Sequence, residues 1–188
     1  LFAPAYHPGV RRATAVRRAL KTRTLFNLLG PLANPAHPEL QVMGVYDPRL
    51  VRPLADTLRT LGAHAALVVH GGGLDEIALH GPTTAALLRD GAIQTLTLDP
   101  EDAGFERAPI AALAGGEPAE GAAWLDRLLA GRGDPVHRAA VAINAGALLW
   151  IAGLAATLRL GGLRAREIID SGAAQWRIAA LVEVARGA

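Results

Sequence analysis

The sequence predicts an α/β fold with a partly parallel central sheet flanked by helices. Two observations carry this. Apolar runs at residues 41–46 and 64–69 are separated by a helical stretch, and a strand–helix–strand order of that length forms a parallel crossover. From Pro118 onward the apolar spacing is helical to the end of the chain. Composition agrees: with 188 residues, 51% apolar and 19% charged, the chain has enough apolar surface for one domain, or slightly more, and is not intrinsically disordered.

Taken in order, residues 7–20 read as a helix with arginines at 11, 12, 17 and 18. Thr24-Leu25-Phe26-Asn27-Leu28-Leu29 reads as a short helix ended by Gly30-Pro31, and the Pro-rich stretch 34–38 as a loop. The run at 41–46 is a strand, nearly all apolar toward its end, as a strand covered on both faces should be. Asp47-Pro48 signals a helix start, with Pro53 placing the regular helix later; it runs to Leu61 and stops at Gly62. After the strand 64–69, shorter strands are predicted at 77–79, 84–88 and 93–98, the last two joined by the Asp90-Gly91 turn. Helices are predicted at 119–129, from Asp134-Pro135 to Trp150, at 163–170 and at 173–185. The three tryptophans lie in apolar helical patterns and read as core.

Several classes are excluded or disfavoured. No cysteine is present, which removes thiol catalysis and disulfide scaffolds. Of the 19 cations, 18 are arginines spread without a dense basic block, so no nucleic-acid footprint is expected. Residues 139–158 carry no charge, but their Ala and Gly content favours a buried helix over a membrane span. No HExxH or HxxxH spacing, GxSxG elbow, Walker A loop or GxGxxG fingerprint occurs. There is no basic segment followed by an apolar one at the start, so no signal peptide is read. Leu1-Phe2-Ala3 reads as the tail of a strand already in progress, so the chain is expected to be part of a longer protein.

The strongest chemical signal is His70-Gly71-Gly72-Gly73-Leu74-Asp75-Glu76. It follows an apolar strand, where ligands of open α/β sheets bind. Three glycines permit a sharp turn and close approach to a ligand. Two adjacent carboxylates suit a hard cation such as Mg²⁺. The same residues also read as a glycine turn with a solvated acidic pair. A second set is His7, Arg17 and Gly30-Pro31. An arginine fork matches a carboxylate; equally, the arginines between 11 and 18 form a solvated helix face, and His7 before Pro8 forms a cap.

The order Leu1-Phe2-Ala3-Pro4, Tyr6-His7-Pro8, Val16-Arg17-Arg18 and Arg23-Thr24-Leu25-Phe26-Asn27-Leu28-Leu29-Gly30-Pro31-Leu32-Ala33-Asn34-Pro35 resembles the anthranilate phosphoribosyltransferase family. Gly44-Val45-Tyr46-Asp47, His70-Gly71, Leu74-Asp75-Glu76-Ile77 and Asp170-Ser171-Gly172 extend the likeness over nearly the whole chain. The resemblance implies transfer of a phosphoribosyl group from 5-phosphoribosyl 1-pyrophosphate (PRPP) to anthranilate in tryptophan biosynthesis, with release of pyrophosphate. It implies that residues 1–188 are the C-terminal part of a nucleoside phosphorylase/phosphoribosyltransferase-type α/β domain, left incomplete, with 8–33 a helical segment contributing to a small helical domain. It places Asp75 and Glu76 as Mg²⁺ ligands, Arg17 at the anthranilate carboxylate, and His7, Gly30 and Pro31 along the anthranilate path. It further implies a cytoplasmic homodimer, with small-molecule substrates and neither nucleic acid nor membrane as partner.

The family's glycine-rich PRPP loop and its Asn-Ser-Thr and Lys-His-Gly-Asn segments have no counterpart here, so the 188 residues alone are expected to be inactive. Lys21-Thr22 replaces the usual Gly-Ile, and Ala173-Ala174 departs from a lysine-containing run. Two other readings of the fold are a nucleic-acid-binding paralogue without catalysis and a pyrimidine nucleoside phosphorylase relative. Asp75, Glu76 and the scattered arginines argue against the first; Arg17 and the block from Asn27 to Pro35 argue against the second.

Overall fold

The computed structural model describes residue 19 and residues 26–187. Apart from residue 19, the helix predicted at 7–20 lies outside the described residues, and with it His7 and Arg17. The chain divides into two compact units, Leu1–Glu39 and Leu40–Ala188.

In the first unit, α1 spans Phe26–Leu32 and contains Gly30 and Pro31, which were expected to end it. A proline's fixed φ is helical and it lacks only its own N–H, so the helical turn closes past it, with Ala33 N–H donating to the Leu29 carbonyl at 2.8 Å. Both Gly30 and Pro31 are exposed. The predicted 34–38 loop is present, tied by Asn34 Oδ1 accepting from Ala36 N–H at 3.0 Å.

The second unit is built on a four-stranded sheet of β1 (Leu40–Gly44), β2 (Ala65–His70), β3 (Thr83–Arg89) and β4 (Ala92–Leu98), in that spatial order. Strands β1 and β2 are parallel; the other two pairings are antiparallel. Between the parallel strands, Asp47 caps a 3₁₀ turn, Pro48–Leu50, that leads into α2, Val51–Thr60. Pro53 sits in the first turn of α2, where its N–H would have no helical partner anyway. The regular helix therefore starts before it rather than at it.

The central strand β2 is buried on both faces, as its unbroken apolar run requires. Ala65, Leu67 and Val69 join Ala85 and Leu87 of β3 on one face. The alternate residues Ala66, Val68, Ala86 and Leu88 are buried on the other, where α2 packs on β2 and β3. The first face is covered by α4, Pro135–Ile151, and the core continues through its Ile143, Ala147 and Ile151 to Ala165 and Ile169 of α5, Leu158–Asp170, which packs on α4. Ahead of α4, α3 runs over Pro118–Leu129; after α5, α6 runs over Ala173–Gly187.

Further differences from the sequence reading lie beyond α2. Residues 77–79 are buried but form no strand. Buried peptide groups still need partners, and here side chains supply them, as described below. Helix α5 starts at Leu158 rather than 163, with Thr157 Oγ1 capping Leu160 N–H at 3.2 Å. Gly161 and Gly162, ahead of the predicted start, are where α5 crosses α4: a Cβ at Gly146 would overlap the Gly162 backbone, and one at Gly161 the Gly146 carbonyl. Trp176 on α6 is 79% exposed rather than core, and Leu181 and Val184 are exposed beside it. Among the described residues no helix is long and apolar enough to cross a membrane. The uncharged stretch from 139 contributes α4, whose last turn is closed by Arg89, its guanidinium donating to the Trp150 carbonyl at 3.0 Å.

Replacing Gly146 by alanine forces the α4–α5 crossing apart. Overpacking of this kind costs about 1–3 kcal/mol, against a gain of about 1 kcal/mol in helix propensity. The Gly146→Ala chain is expected to unfold at lower denaturant concentration, as read by circular dichroism.

Candidate functional site

The acidic pair follows a glycine turn at the carboxyl end of β2. Gly71 N–H donates to the Leu74 carbonyl at 2.9 Å, and Leu74 N–H returns to Gly71 at 3.2 Å. The two residues between them, Gly72 and Gly73, have φ of 56° and 105°. These are the positive values of a primed turn, which glycine adopts at little steric cost. The turn reads as the sequence predicted, and Asp75 and Glu76 emerge from it in a bend, both exposed.

Two constraints place that bend. At the end of β1, a Cβ at Gly44 would overlap the Asp75 carbonyl, so the chain at Asp75 crosses β1 in backbone contact. Beyond the pair, Asn144 on α4 grips the peptide of Ile77. Its Oδ1 accepts from Ile77 N–H at 2.9 Å, and its Nδ2 donates to the Ile77 carbonyl at 3.1 Å and to the Ala140 carbonyl at 2.9 Å. The side-chain amide thus completes what a neighbouring strand would supply. Ala78 N–H is held by Thr83 Oγ1 at 3.0 Å, and the Leu79 carbonyl accepts from Ala108 N–H at 3.0 Å.

Neither Asp75 nor Glu76 forms an ion pair with another described residue. Although Glu76 is exposed as a residue, partial desolvation of its carboxyl, and secondarily the charge of Asp75, raise that carboxyl above its usual 4.5. Asp47 contrasts with it: hydrogen bonds from the Arg49 guanidinium hold its carboxyl down at about 2. Glu76 also lines a cleft of about 530 Å³ formed with Leu113, Trp124, Leu128, His137 and Val141. Trp124 stacks on His137 there, ring centroids 5.1 Å apart.

The donor set fits Mg²⁺. Both candidate groups are carboxylates, and Mg²⁺ takes one or two of these while keeping water and phosphate oxygens in its other positions. Among the described residues no third histidine or acid joins them into a cluster. Of the second predicted set, Gly30 and Pro31 are exposed in α1, while His7 and Arg17 lie outside the described residues. The sequence reading missed Asn144, Gly44 and His80. A single amide in the uncharged stretch from 139 and a glycine ending a buried strand were the available signals for the first two.

The glycosyl transferase family, a/b domain, matches residues 1–175. The chain belongs to this family. It is 62% identical over 186 residues to an anthranilate phosphoribosyltransferase of Sorangium cellulosum (strain So ce56), covering 99% of this chain and 53% of that protein. The crystal structure of anthranilate phosphoribosyltransferase from Thermus thermophilus superposes with a TM-score of 0.86 at 44% identity, over 94% of this chain and 52% of that one. The Saccharomyces cerevisiae enzyme matches in complex with PRPP and Mg, with a TM-score of 0.80, 28% identity, and 90% and 49% coverage. It also matches in complex with 4-fluoroanthranilate, with a TM-score of 0.84, 28% identity, and 93% and 51% coverage. The chain therefore spans about half the length of the relatives it matches.

A raised folded-state pKa means that the folded chain binds the proton more tightly than the unfolded one. Ionised Glu76 therefore lowers stability at neutral pH, and the penalty vanishes below the usual 4.5. Glu76→Gln is expected to melt at higher temperature than the parent at neutral pH. The difference should close as the pH falls through the raised value to below 4.5, as followed by calorimetry.

Proposed function

We propose that this chain supplies part of an anthranilate phosphoribosyltransferase, which moves the phosphoribosyl group of PRPP onto the amine of anthranilate and releases pyrophosphate. The observation that carries the reading is the Asp75–Glu76 pair. In a chain of this family, two carboxylates without a cationic partner among the described residues follow the central strand, one of them partly desolvated. The relatives named above support the substrates.

Cleavage at the ribose anomeric carbon builds negative charge on the departing pyrophosphate. Asp75 and Glu76 would hold Mg²⁺, which when bound stabilises that charge as a Lewis acid. Arg17 would present its guanidinium fork to the anthranilate carboxylate, with His7, Gly30 and Pro31 lining the approach. The aromatic amine is itself the nucleophile, so these residues act by orienting it rather than by removing a proton. The same reading takes the active protein as a cytoplasmic homodimer, supported by the family resemblance alone.

The 188 residues contain no glycine-rich loop or lysine segment of the kind expected to cradle the phosphates of PRPP. An assay following loss of anthranilate fluorescence with PRPP and Mg²⁺ is expected to show turnover only when the chain is extended at its N-terminus by the preceding segment of the Sorangium relative. In that extended chain, Asp75→Asn with Glu76→Gln should lower kcat by about 10²–10³, the usual loss when a group aimed at developing charge is removed. Equal turnover by the short and extended chains would show that the PRPP site has been misplaced. Arg17→Ala in the extended chain should raise the KM for anthranilate before that for PRPP; an unchanged anthranilate KM would remove Arg17 from the site.

A further inference from the structure

The glycines that make the turn before Asp75 possible also leave it undefended. With no Cβ at Gly72 or Gly73, nothing in the turn resists rotation of the peptide group between them. A flip of that group would exchange one primed turn type for another and turn its N–H and carbonyl away from their partners.

Two histidines hold this one peptide. Its N–H, from Gly73, donates to His70 Nε2 at 3.2 Å. Its carbonyl, from Gly72, lies 3.2 Å from His80 Nε2. A carbonyl only accepts, so His80 Nε2 carries the hydrogen and donates it. His70 Nε2 is an acceptor, so the ring hydrogen sits on Nδ1, which donates to the Val45 carbonyl at 2.8 Å. The His70 ring thus ties the turn to the end of β1. His80 follows the 77–79 segment, which Asn144, Thr83 and Ala108 already fix. His80 also packs closely enough that a Cβ on Gly72 would come within 3.0 Å of its Nε2.

The position of His80 carries a cost that packing alone does not explain. Its Nδ1 is buried without a hydrogen-bond partner among the described residues, a penalty that an apolar side chain of similar size would avoid. The donor at Nε2 is the compensating feature.

We propose that His70 and His80 are positioning residues that clamp the Gly72–Gly73 peptide and so hold in one form the turn from which Asp75 and Glu76 present their carboxylates to a divalent cation. The role rests on the reading of those two acids as cation ligands. Neither histidine touches the cation or a reacting atom; each acts through the turn.

The test uses the ¹⁵N-labelled full chain, with Mn²⁺ as the probe. Amide hydrogen exchange at Gly73 and Mn²⁺ affinity by electron paramagnetic resonance are measured in the parent, His80→Ala, His80→Phe, His80→Gln and the Asp75→Asn/Glu76→Gln double variant. Losing one hydrogen bond, at a net of about 1 kcal/mol, should speed Gly73 exchange about fivefold in His80→Ala and His80→Phe. Mn²⁺ affinity should fall about tenfold, as when a group supporting metal ligands is removed. Glutamine places an amide donor where Nε2 was, so His80→Gln should restore both values, which a purely space-filling role would not. The double variant should lose Mn²⁺ binding with Gly73 exchange unchanged. Unchanged Gly73 exchange in both His80→Ala and His80→Phe, or no rescue by glutamine over phenylalanine, overturns the clamp. Failure of the parent to bind Mn²⁺ overturns instead the reading of Asp75 and Glu76 as cation ligands, and the positioning role with it.

Discussion

The hydrogen-bond pair between the Asn144 amide and the Ile77 peptide joins residues 67 positions apart, and the arrangement around the acidic pair depends on it. Ile77, Ala78 and Leu79 are buried against the core but lie outside the strand ladder. Without the amide, two polar groups of Ile77 would be buried unpaired, each at a cost of about 1–3 kcal/mol. With it, the segment leaving Glu76 is fastened to the helix that covers the sheet. The core and the acidic bend are therefore one mechanical unit: α4, which packs on β1 and β2, carries Ile143, Ala147 and Ile151 into the core, and from the same helix it holds the chain just past the carboxylates.

Close backbone approach is the second constraint. It occurs where β1 meets Asp75 at Gly44, and where α4 meets α5 at Gly146 and Gly161. Both contacts are closed to any side chain. The first brings the acidic bend across the end of the parallel strand pair, the place where open α/β sheets bind ligands. The second brings α5 close enough to α4 for Ala165 and Ile169 to enter the same core. A glycine in a helix usually weakens it; here the loss is offset by a crossing that larger residues would hold open.

Charge completes the picture. Carboxylates with a nearby arginine are neutralised by it, as Asp47 is by Arg49 and Asp170 by Arg138. Asp75 and Glu76 are left without such a partner among the described residues, and the raised Glu76 carboxyl records both its partial desolvation and its like-charged neighbour. That imbalance is what a bound cation would relieve. In a member of this family it gives physical content to a site that two adjacent acids alone leave open between a ligand set and a solvated surface pair.

The sequence by itself determined whatever depends on neighbours along the chain. The crossover β1–α2–β2 follows from apolar runs long enough to be buried and from Asp47-Pro48 as a starting signal; the turn at 71–74 follows from three glycines; the cap on α4 follows from Asp134-Pro135. The family likeness was legible for the same reason, in short runs of ordered residues. Only the tertiary structure decided features whose partners are distant in sequence. The apolar 77–79 run is as strand-like in pattern as its neighbours, yet a side-chain amide, a hydroxyl and a loop N–H take the place of the ladder. The start of α5 at Leu158 rather than 163 takes in Gly161 and Gly162, whose packing reason is the facing glycine on α4. His80 belongs to no motif in the sequence, and only the fold brings it to the carbonyl of Gly72. Local preference is set by steric and hydrogen-bonding terms within a few residues, whereas these contacts exist only once the chain has closed on itself.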